Sequence, residues 1–102
     1  MIRADWVSDN DLAIKDGSKT VAEGRIAQSD GGWFIARAEA TPTLDSAYGD
    51  FLVRLMIRRA YELGGYEQYV YATPDTAEFY KKLGFECDGV KMKHVGDVHG
   101  YC

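Results

Sequence analysis

The chain has 102 residues, of which 46% are hydrophobic and 27% are charged. This length and composition predict one globular domain over residues 1–102 and argue against a disordered chain. Sixteen acidic against twelve basic residues give a net charge of −4, which argues against a nucleic acid or an anionic membrane as the partner.

The N-terminal stretch and the cysteines predict a cytoplasmic protein. The stretch MIRADWVSDND has no apolar run after its arginine, so no secretory signal is expected. Cys87 and Cys102 are the only cysteines, which favours a reducing compartment. The longest apolar runs are too short to span a membrane.

The first 41 residues predict three antiparallel strands. In DLAIKDGSKTVAEGRIAQ apolar and polar residues alternate, and Asp16–Gly17 is typical of a tight turn. After SDGG, the segment WFIARAEAT predicts a third strand. Strict alternation divides this strand into two faces: Trp33, Ile35, Arg37 and Glu39 on one, and Phe34, Ala36, Ala38 and Ala40 on the other.

Two helices with a strand between them follow. The first begins near Asp45 or Ser46, both good N-caps, and ends at a glycine pair. YEQYVYAT predicts a strand, and a threonine–proline pair starts a second helix that runs to Leu83. FECDGVKMKHV predicts a final hairpin. The predicted fold class is α/β (α+β), a mixed sheet in the order β-β-β-α-β-α-β-β.

Two of these segments resemble the GCN5-related N-acetyltransferase (GNAT) family. TAEFYKKLGFE is similar to the late helix and strand of the family, in which an aromatic–tyrosine pair precedes a leucine–glycine–phenylalanine turn. FIARAEATPTLDSAYGDFLVRLMIRRAYELG resembles its strand, acetyl-CoA loop and long helix. The resemblance covers roughly residues 11–95 and implies a GNAT-like sheet with acetyl-CoA as the co-substrate.

The resemblance also implies where acetyl-CoA binds. Backbone N–H groups of residues 46–51, at a helix N-terminus, would hold the pyrophosphate. The pantetheine arm would pair with the strand before that helix like an added strand. The implied cofactor-binding residues are Ala38, Ala40, Ser46, Ala47, Tyr48, Gly49, Asp50, Phe51, Thr73 and Phe79.

The loop departs from the family pattern of a basic residue followed by two small positions. SAYGDF retains Gly49 but has Ser46 at the basic position and Phe51 at the second small one. Two acids beside the loop place negative charge near the phosphates, which Arg54 or Lys81 could offset. Acids at a helix start are also stabilising without any ligand.

The front of the chain departs from the family as well. MIRADWVSDND passes directly into the strand DLAIKDG, which leaves no room for the usual N-terminal helices. The sheet should therefore keep apolar surface and a free edge near residues 11–27. We therefore expect a symmetric homodimer that covers this surface.

Tyr80 and Glu39 are the candidate catalytic residues. In the family a tyrosine at the position of Tyr80 often protonates the leaving thiolate of coenzyme A, and a phenol with a pKa near 10 suits that step. Packing of the short helix is its alternative role. Glu39 is the candidate general base for the amine, directly or through water; a cross-strand ion pair with Arg25 or with neighbours of Arg37 is its alternative.

No metal is expected. Cys87, His94, His99 and Cys102 are residue types that suit zinc, but their spacing matches no standard zinc site.

The sequence thus predicts an acetyl-CoA-dependent N-acetyltransferase that acts on a primary amine, of a small molecule or a protein, by direct attack in a ternary complex. The alternative is a binding or assembly module that keeps the fold without catalysis. We favour the enzyme, although the sequence does not identify the amine.

Overall fold

The computed structural model of the chain describes residues 1–29 and 32–96. Within these ranges the chain forms one seven-stranded sheet and two helices. The strands are β1 (Ile2–Trp6), β2 (Asp11–Asp16), β3 (Lys19–Ser29), β4 (Gly32–Ala40), β5 (Glu67–Val70), β6 (Glu86–Asp88) and β7 (Lys91–Val95). The helices are α1 (Ala47–Glu62) and α2 (Pro74–Lys82).

The sheet has the strand order β1-β2-β3-β4-β5-β7-β6. β4 and β5 are parallel, since α1 connects them as a crossover, and the other neighbouring strands are antiparallel. From β2 onward the order of strands and helices is the one that the sequence predicts. The predicted mixed sheet is therefore confirmed.

One strand was not predicted. β1 pairs along the whole of β2, with Ala4 opposite Ile14, and places Ala4 and Trp6 against the core. Because β2 lies between β1 and β3, the prediction of a free edge at residues 11–27 is wrong. The edge on this side of the sheet is β1 instead, and four residues connect it to β2 without a helix.

The two helices begin where the sequence predicts, and α2 ends at Lys82, one residue before the predicted Leu83. The Ser46 side chain accepts a hydrogen bond from the Gly49 amide, which makes Ser46 the N-cap of α1. Thr73 caps α2, and Pro74 occupies its first turn. Gly84, with φ of 100°, follows the end of α2 in the left-handed region that glycine favours. Within the described residues, neither helix is long and apolar enough to cross a membrane.

β4 contains a bulge. In its ladder with β3, Arg25 lies opposite Arg37 whereas Ile26 lies opposite Ile35, so Ala36 is an extra residue on β4. One inserted residue moves the side chains beyond it to the other face of the sheet.

The bulge overturns the predicted alternation of β4. Before the bulge, Trp33 and Ile35 are buried beneath the helices. Beyond it, Ala38 and Ala40 turn to that same side and pack partly against the core, whereas Glu39 turns away. The predicted face that combined Trp33, Ile35, Arg37 and Glu39 is therefore wrong.

The sheet has one covered and one uncovered face. Both helices pack on the first, which we call the helix face, and one core joins their apolar residues to those of β2, β3, β4, β5 and β7. The opposite, open face carries the side chains of Glu23, Arg25, Phe34, Arg37, Glu39 and Tyr69. No helix in the described part of the chain covers the open face.

Candidate functional site

The candidate site is a cleft between β4 and β5. Their ladder has three pairs, from Trp33–Gln68 to Ile35–Val70. β5 ends there, whereas β4 continues to Ala40, so in the described chain residues 36–40 have no strand partner on the β5 side. Unpaired backbone groups of this kind can bind an extended ligand as an added strand. We call the gap between residues 36–40 and 71–73 the β4–β5 cleft.

The helices begin after the carboxyl ends of the two strands that form the cleft. This is the arrangement in which open α/β sheets bind ligands. In the first turn of α1, Gly49 N–H donates to the Ser46 side chain and Asp50 N–H to the Ser46 carbonyl. The amides of Ala47 and Tyr48 make no hydrogen bond within the described residues, so they are available to an anion.

Gly49 has a packing role in this turn. A Cβ at this position would overlap the backbone carbonyl of Leu44. Glycine therefore lets the preceding loop lie directly against α1. The close approach of a phosphate to Gly49, which the family resemblance implies, stays a prediction.

The acids beside the start of α1 are paired with bases. Arg54 donates to Asp50 at 2.9 Å, and Lys82 donates to Asp45 at 3.3 Å. Lys81, the other base considered from the sequence, pairs with a glutamate of its own helix. The charge near the first turn is therefore offset by Arg54 and by Lys82 rather than Lys81.

Tyr48 and Phe51 use their side chains for packing. The Tyr48 hydroxyl donates to Asp16 at 2.7 Å, which ties α1 to the β2–β3 turn. This bond is the main cause that raises the pKa of Tyr48 and lowers the pKa of Asp16. Phe51 packs, partly buried, against the core. Any contact of this turn with a cofactor would come mainly from the backbone, and it stays a prediction.

Tyr80 lies in the core of the helix face. Its side chain is 3% exposed, and its ring packs edge-on against Phe79 at 5.1 Å and Phe85 at 5.3 Å between centroids. Burial raises the pKa of Tyr80 to about 12, so its hydroxyl stays protonated at neutral pH. The packing role is therefore confirmed, and the catalytic role stays a prediction.

The Tyr80 hydroxyl makes no hydrogen bond with the described residues. No buried side-chain nitrogen or oxygen in that part of the chain lacks a partner. The Tyr80 oxygen is therefore not fully buried, and it retains some contact with solvent.

Glu39 lies exposed on the open face. Arg37 donates to Glu39 at 2.9 Å and to Glu23 at 3.0 Å, and Glu23 is the residue opposite Glu39 on β3. Arg25 instead pairs with Asp11. Glu39 therefore forms an ion pair, but with Arg37 of its own strand rather than the predicted cross-strand pair. Its role as a general base stays a prediction.

Thr73 and Phe79 occupy different environments. Thr73 is exposed at the boundary of the cleft, and its N–H donates to the Thr76 hydroxyl at 3.0 Å. Phe79 is 4% exposed and belongs to the core. Contact of either side chain with a cofactor stays a prediction.

The histidines and cysteines do not form a cluster in the described residues. Cys87 is exposed, whereas His94 is buried with its Nδ1 2.6 Å from the Gln68 side-chain oxygen. No three His, Cys, Asp or Glu residues of the described chain could hold a metal ion together. His99 and Cys102 lie outside the described residues.

Sequence reasoning missed an aromatic cluster on the open face beside the cleft. Phe34 lies between two tyrosines: its ring is 5.6 Å from Tyr71, nearly parallel, and 5.2 Å from Tyr69. We call these three residues the aromatic floor. The alternating tyrosines of YEQYVYAT are the signal that could have predicted it, because residues two apart share one face of a strand.

Comparison with known proteins shows similarity at the level of structure. No family model matches the sequence, and no curated protein matches it. The ribosomal-protein-S18-alanine N-acetyltransferase of Escherichia coli is 13% identical, with a TM-score of 0.71 over 89% of this chain and 71% of that one.

Two similar structures contain coenzyme A. The Escherichia coli protein YhhK, described as an N-acetyltransferase, is 18% identical, with a TM-score of 0.69 over 89% of this chain and 76% of that one. The PaiA N-acetyltransferase of Thermoplasma acidophilum is 18% identical, with a TM-score of 0.68 over 83% of this chain and 59% of that one. The chain therefore has the GNAT acetyltransferase fold.

Proposed function

We propose that the chain is an acetyl-CoA-dependent N-acetyltransferase that acts on a primary amine. The observation that carries the proposal is the β4–β5 cleft, where the backbone of residues 36–40 is unpaired beside the helix starts. YhhK and PaiA, which have the same fold, are bound to coenzyme A in their structures.

In this proposal the backbone binds acetyl-CoA. Residues 36–40 pair with the pantetheine arm as an added strand. The amides of Ala47 and Tyr48 bind the pyrophosphate, helped by the positive end of the α1 dipole. Lys82 supports that site because it neutralises Asp45 just before the helix.

The reaction is a direct acyl transfer. The amine nitrogen attacks the thioester carbonyl, a C–N bond forms and the C–S bond breaks. A backbone N–H of β4 polarises the carbonyl. The proton of the amine passes to Glu39, or to water that Glu39 holds, and the sulfur takes a proton from Tyr80.

One observation favours a binding module as the alternative function. A phenol with a pKa of about 12 is a weaker acid than a thiol, whose ordinary pKa is near 8.5. Burial therefore makes Tyr80 a weaker proton donor to the thiolate than a solvated phenol would be. A module that retains the fold and the cleft without catalysis would need neither this proton nor a free Glu39.

Calorimetric titration with acetyl-CoA tests the proposal. We expect saturable binding, and we expect acetylated amine when a mixture of primary amines is added. The product is best measured by mass spectrometry, because the exposed Cys87 thiol would react with thiol reagents. No heat and no thermal shift at millimolar acetyl-CoA would exclude the enzyme, whereas binding without turnover would favour the module.

Two neighbouring lysines give a matched control for the binding site. Lys82→Ala should weaken acetyl-CoA binding, because it leaves Asp45 unneutralised beside the first turn of α1. Lys81→Ala should have a smaller effect, since Lys81 pairs within α2. Equal affinities for the two variants would place the pyrophosphate elsewhere.

A further inference from the structure

We infer that the acceptor is a small aromatic amine, whose ring docks on the aromatic floor formed by Phe34, Tyr69 and Tyr71. Because this site receives the acceptor, it rests on the proposed function. The floor is on the open face, and its members come from β4 and from β5 with the residue that follows it.

The aromatic floor presents ring surface to solvent. The rings of Phe34 and Tyr71 are stacked, with an interplanar angle of 7°, and Tyr71 is 62% exposed. Phe34 and Tyr69 are only partly exposed, and Tyr71 packs against Phe34 on the solvent side. Offset stacking on such surfaces is a favourable way to bind another aromatic ring.

Two contacts fix the position of Tyr69, one under its ring and one at its hydroxyl group. A Cβ at Gly32 would lie 2.6 Å from the Tyr69 ring, so glycine allows the ring to lie against β4. The Tyr69 hydroxyl donates to Glu67 at 2.7 Å. A floor held in this way loses little conformational entropy when a ligand binds.

The aromatic floor adjoins the β4–β5 cleft. The last pair of the ladder joins Ile35 to Val70, and Phe34 and Tyr71 are each one residue away from that pair. A ring on the floor therefore holds a short amine-bearing chain at the mouth of the cleft. That is where the proposed function requires the amine nitrogen.

Charges around the floor orient an ammonium group toward β4. On the β7 side, the Nζ of Lys91 lies over the Tyr69 ring, 5.4 Å from its centroid, and pairs with Asp88 at 3.7 Å, so this ion pair has no net charge to attract a cation. Along β4, Glu39 and Glu23 place two carboxylates against the one guanidinium of Arg37. The amine end of the acceptor therefore points away from β7.

The cavity over the floor suits a small molecule. Its volume is about 290 Å³, near the lower end of the range for ligand pockets. It is lined by Ser29, Gly32, Phe34, Tyr69, Tyr71 and Lys91. One aromatic ring with a short chain fits that size, whereas an extended peptide would reach far beyond it.

Acetyl transfer to paired amines tests this inference. Phenethylamine is compared with hexylamine and with a short peptide that has a free N-terminus, all at saturating acetyl-CoA. We expect kcat/KM to be about tenfold higher for phenethylamine than for hexylamine, because only the ring can stack. Equal values, or a preference for the peptide, would overturn the aromatic acceptor while leaving the acetyltransferase intact.

A pair of exposed tyrosines separates docking from general surface effects. Tyr71→Ser should lower the ratio of kcat/KM for phenethylamine to kcat/KM for hexylamine about tenfold, and this ratio cancels any effect on acetyl-CoA binding that both amines share. Tyr66→Ser is the control, since Tyr66 is 61% exposed but packs near Tyr61 instead. A Tyr71→Ser protein that keeps its preference for phenethylamine would overturn the inference.

The same measurements distinguish a failure of the proposed function from a failure of the acceptor site alone. If acetyl-CoA does not bind the unaltered protein, the proposed function fails and the acceptor site fails with it. If acetyl-CoA binds and amines are acetylated without an aromatic preference, only the acceptor site fails.

Discussion

At the scale of single residues, Tyr80 combines a buried ring with a hydroxyl that has no hydrogen bond to the described residues. The ring packs between two phenylalanines, so the packing role and the catalytic role belong to different atoms of one side chain. Removal of the hydroxyl alone therefore separates the two roles.

Tyr80→Phe should leave stability nearly unchanged, because no hydrogen bond to the described residues is lost. If Tyr80 donates the proton, turnover should fall by about a hundredfold or more with acetyl-CoA affinity nearly intact. Since the pKa of Tyr80 is about 12, the donor stays protonated up to pH 10, and this group should cause no loss of activity below that pH. Turnover, cofactor affinity and melting temperature are measured on one variant.

The control for this residue is Tyr61→Phe. Tyr61 is 41% exposed on α1, so loss of its hydroxyl should change neither turnover nor melting. A fully active Tyr80→Phe protein would leave Tyr80 as a packing residue and would remove the general acid from the proposed mechanism.

At the scale of elements, the junction between the loop and α1 depends on Gly49. Gly49→Ala should destabilise the protein by about 2 kcal/mol, because its Cβ would meet the Leu44 backbone, which cannot move aside without shifting the loop. Gly24→Ala is the matched control. Its Cβ would meet mainly the flexible end of Met56, at 2.5 Å from the sulfur, so a smaller loss is expected.

Denaturant unfolding of the two glycine variants measures this difference. A Gly49→Ala protein as stable as the unaltered chain would show that the loop can move away from α1. In that case packing would not explain the glycine at position 49, and close approach of a ligand to its backbone would be the alternative reason.

Most elements were predictable because local chemistry marks their ends. Asp16–Gly17, the Ser46 cap and the Thr73–Pro74 pair each specify a turn or helix start without reference to the rest of the chain. β1 was not predicted although its sequence IRADW alternates apolar and charged residues, because a run of only five residues is a weak signal without the pairing to β2 that stabilises it.

The parts of the candidate site that depend on strand pairing were not predictable. No glycine or proline marks the bulge at Ala36, which exists only in the ladder between β3 and β4. Because the bulge was not predicted, Glu39 was assigned to the same face of β4 as Trp33. The aromatic floor likewise requires the β4–β5 register, which brings Phe34 beside Tyr69. Local patterns therefore identified the strands and helices. Which side chains share a face of the sheet depends on strand pairing, which those patterns do not specify.

At the scale of the whole molecule, β1 is an edge strand without an outer partner in the described chain, and no helix of that part covers the open face. The two surfaces have different consequences for self-association. The outer side of β1 has no partner strand in the described chain, and Ile2 and Val7 beside it are 51% and 68% exposed. An exposed strand edge with apolar side chains favours pairing with another copy.

We therefore predict a symmetric homodimer in which β1 pairs with β1 of a second copy, leaving the open face to the acceptor. Light scattering at micromolar concentrations should give twice the 11.4 kDa mass of the chain. Ile2→Asp should yield monomers, because it places a charge at that edge, whereas Val90→Asp, at an 88% exposed turn residue far from β1, should not. A monomeric unaltered chain would contradict the dimer. A dimer that survives Ile2→Asp would instead point to the open face, where a second copy would cover the aromatic floor and exclude the acceptor site proposed there.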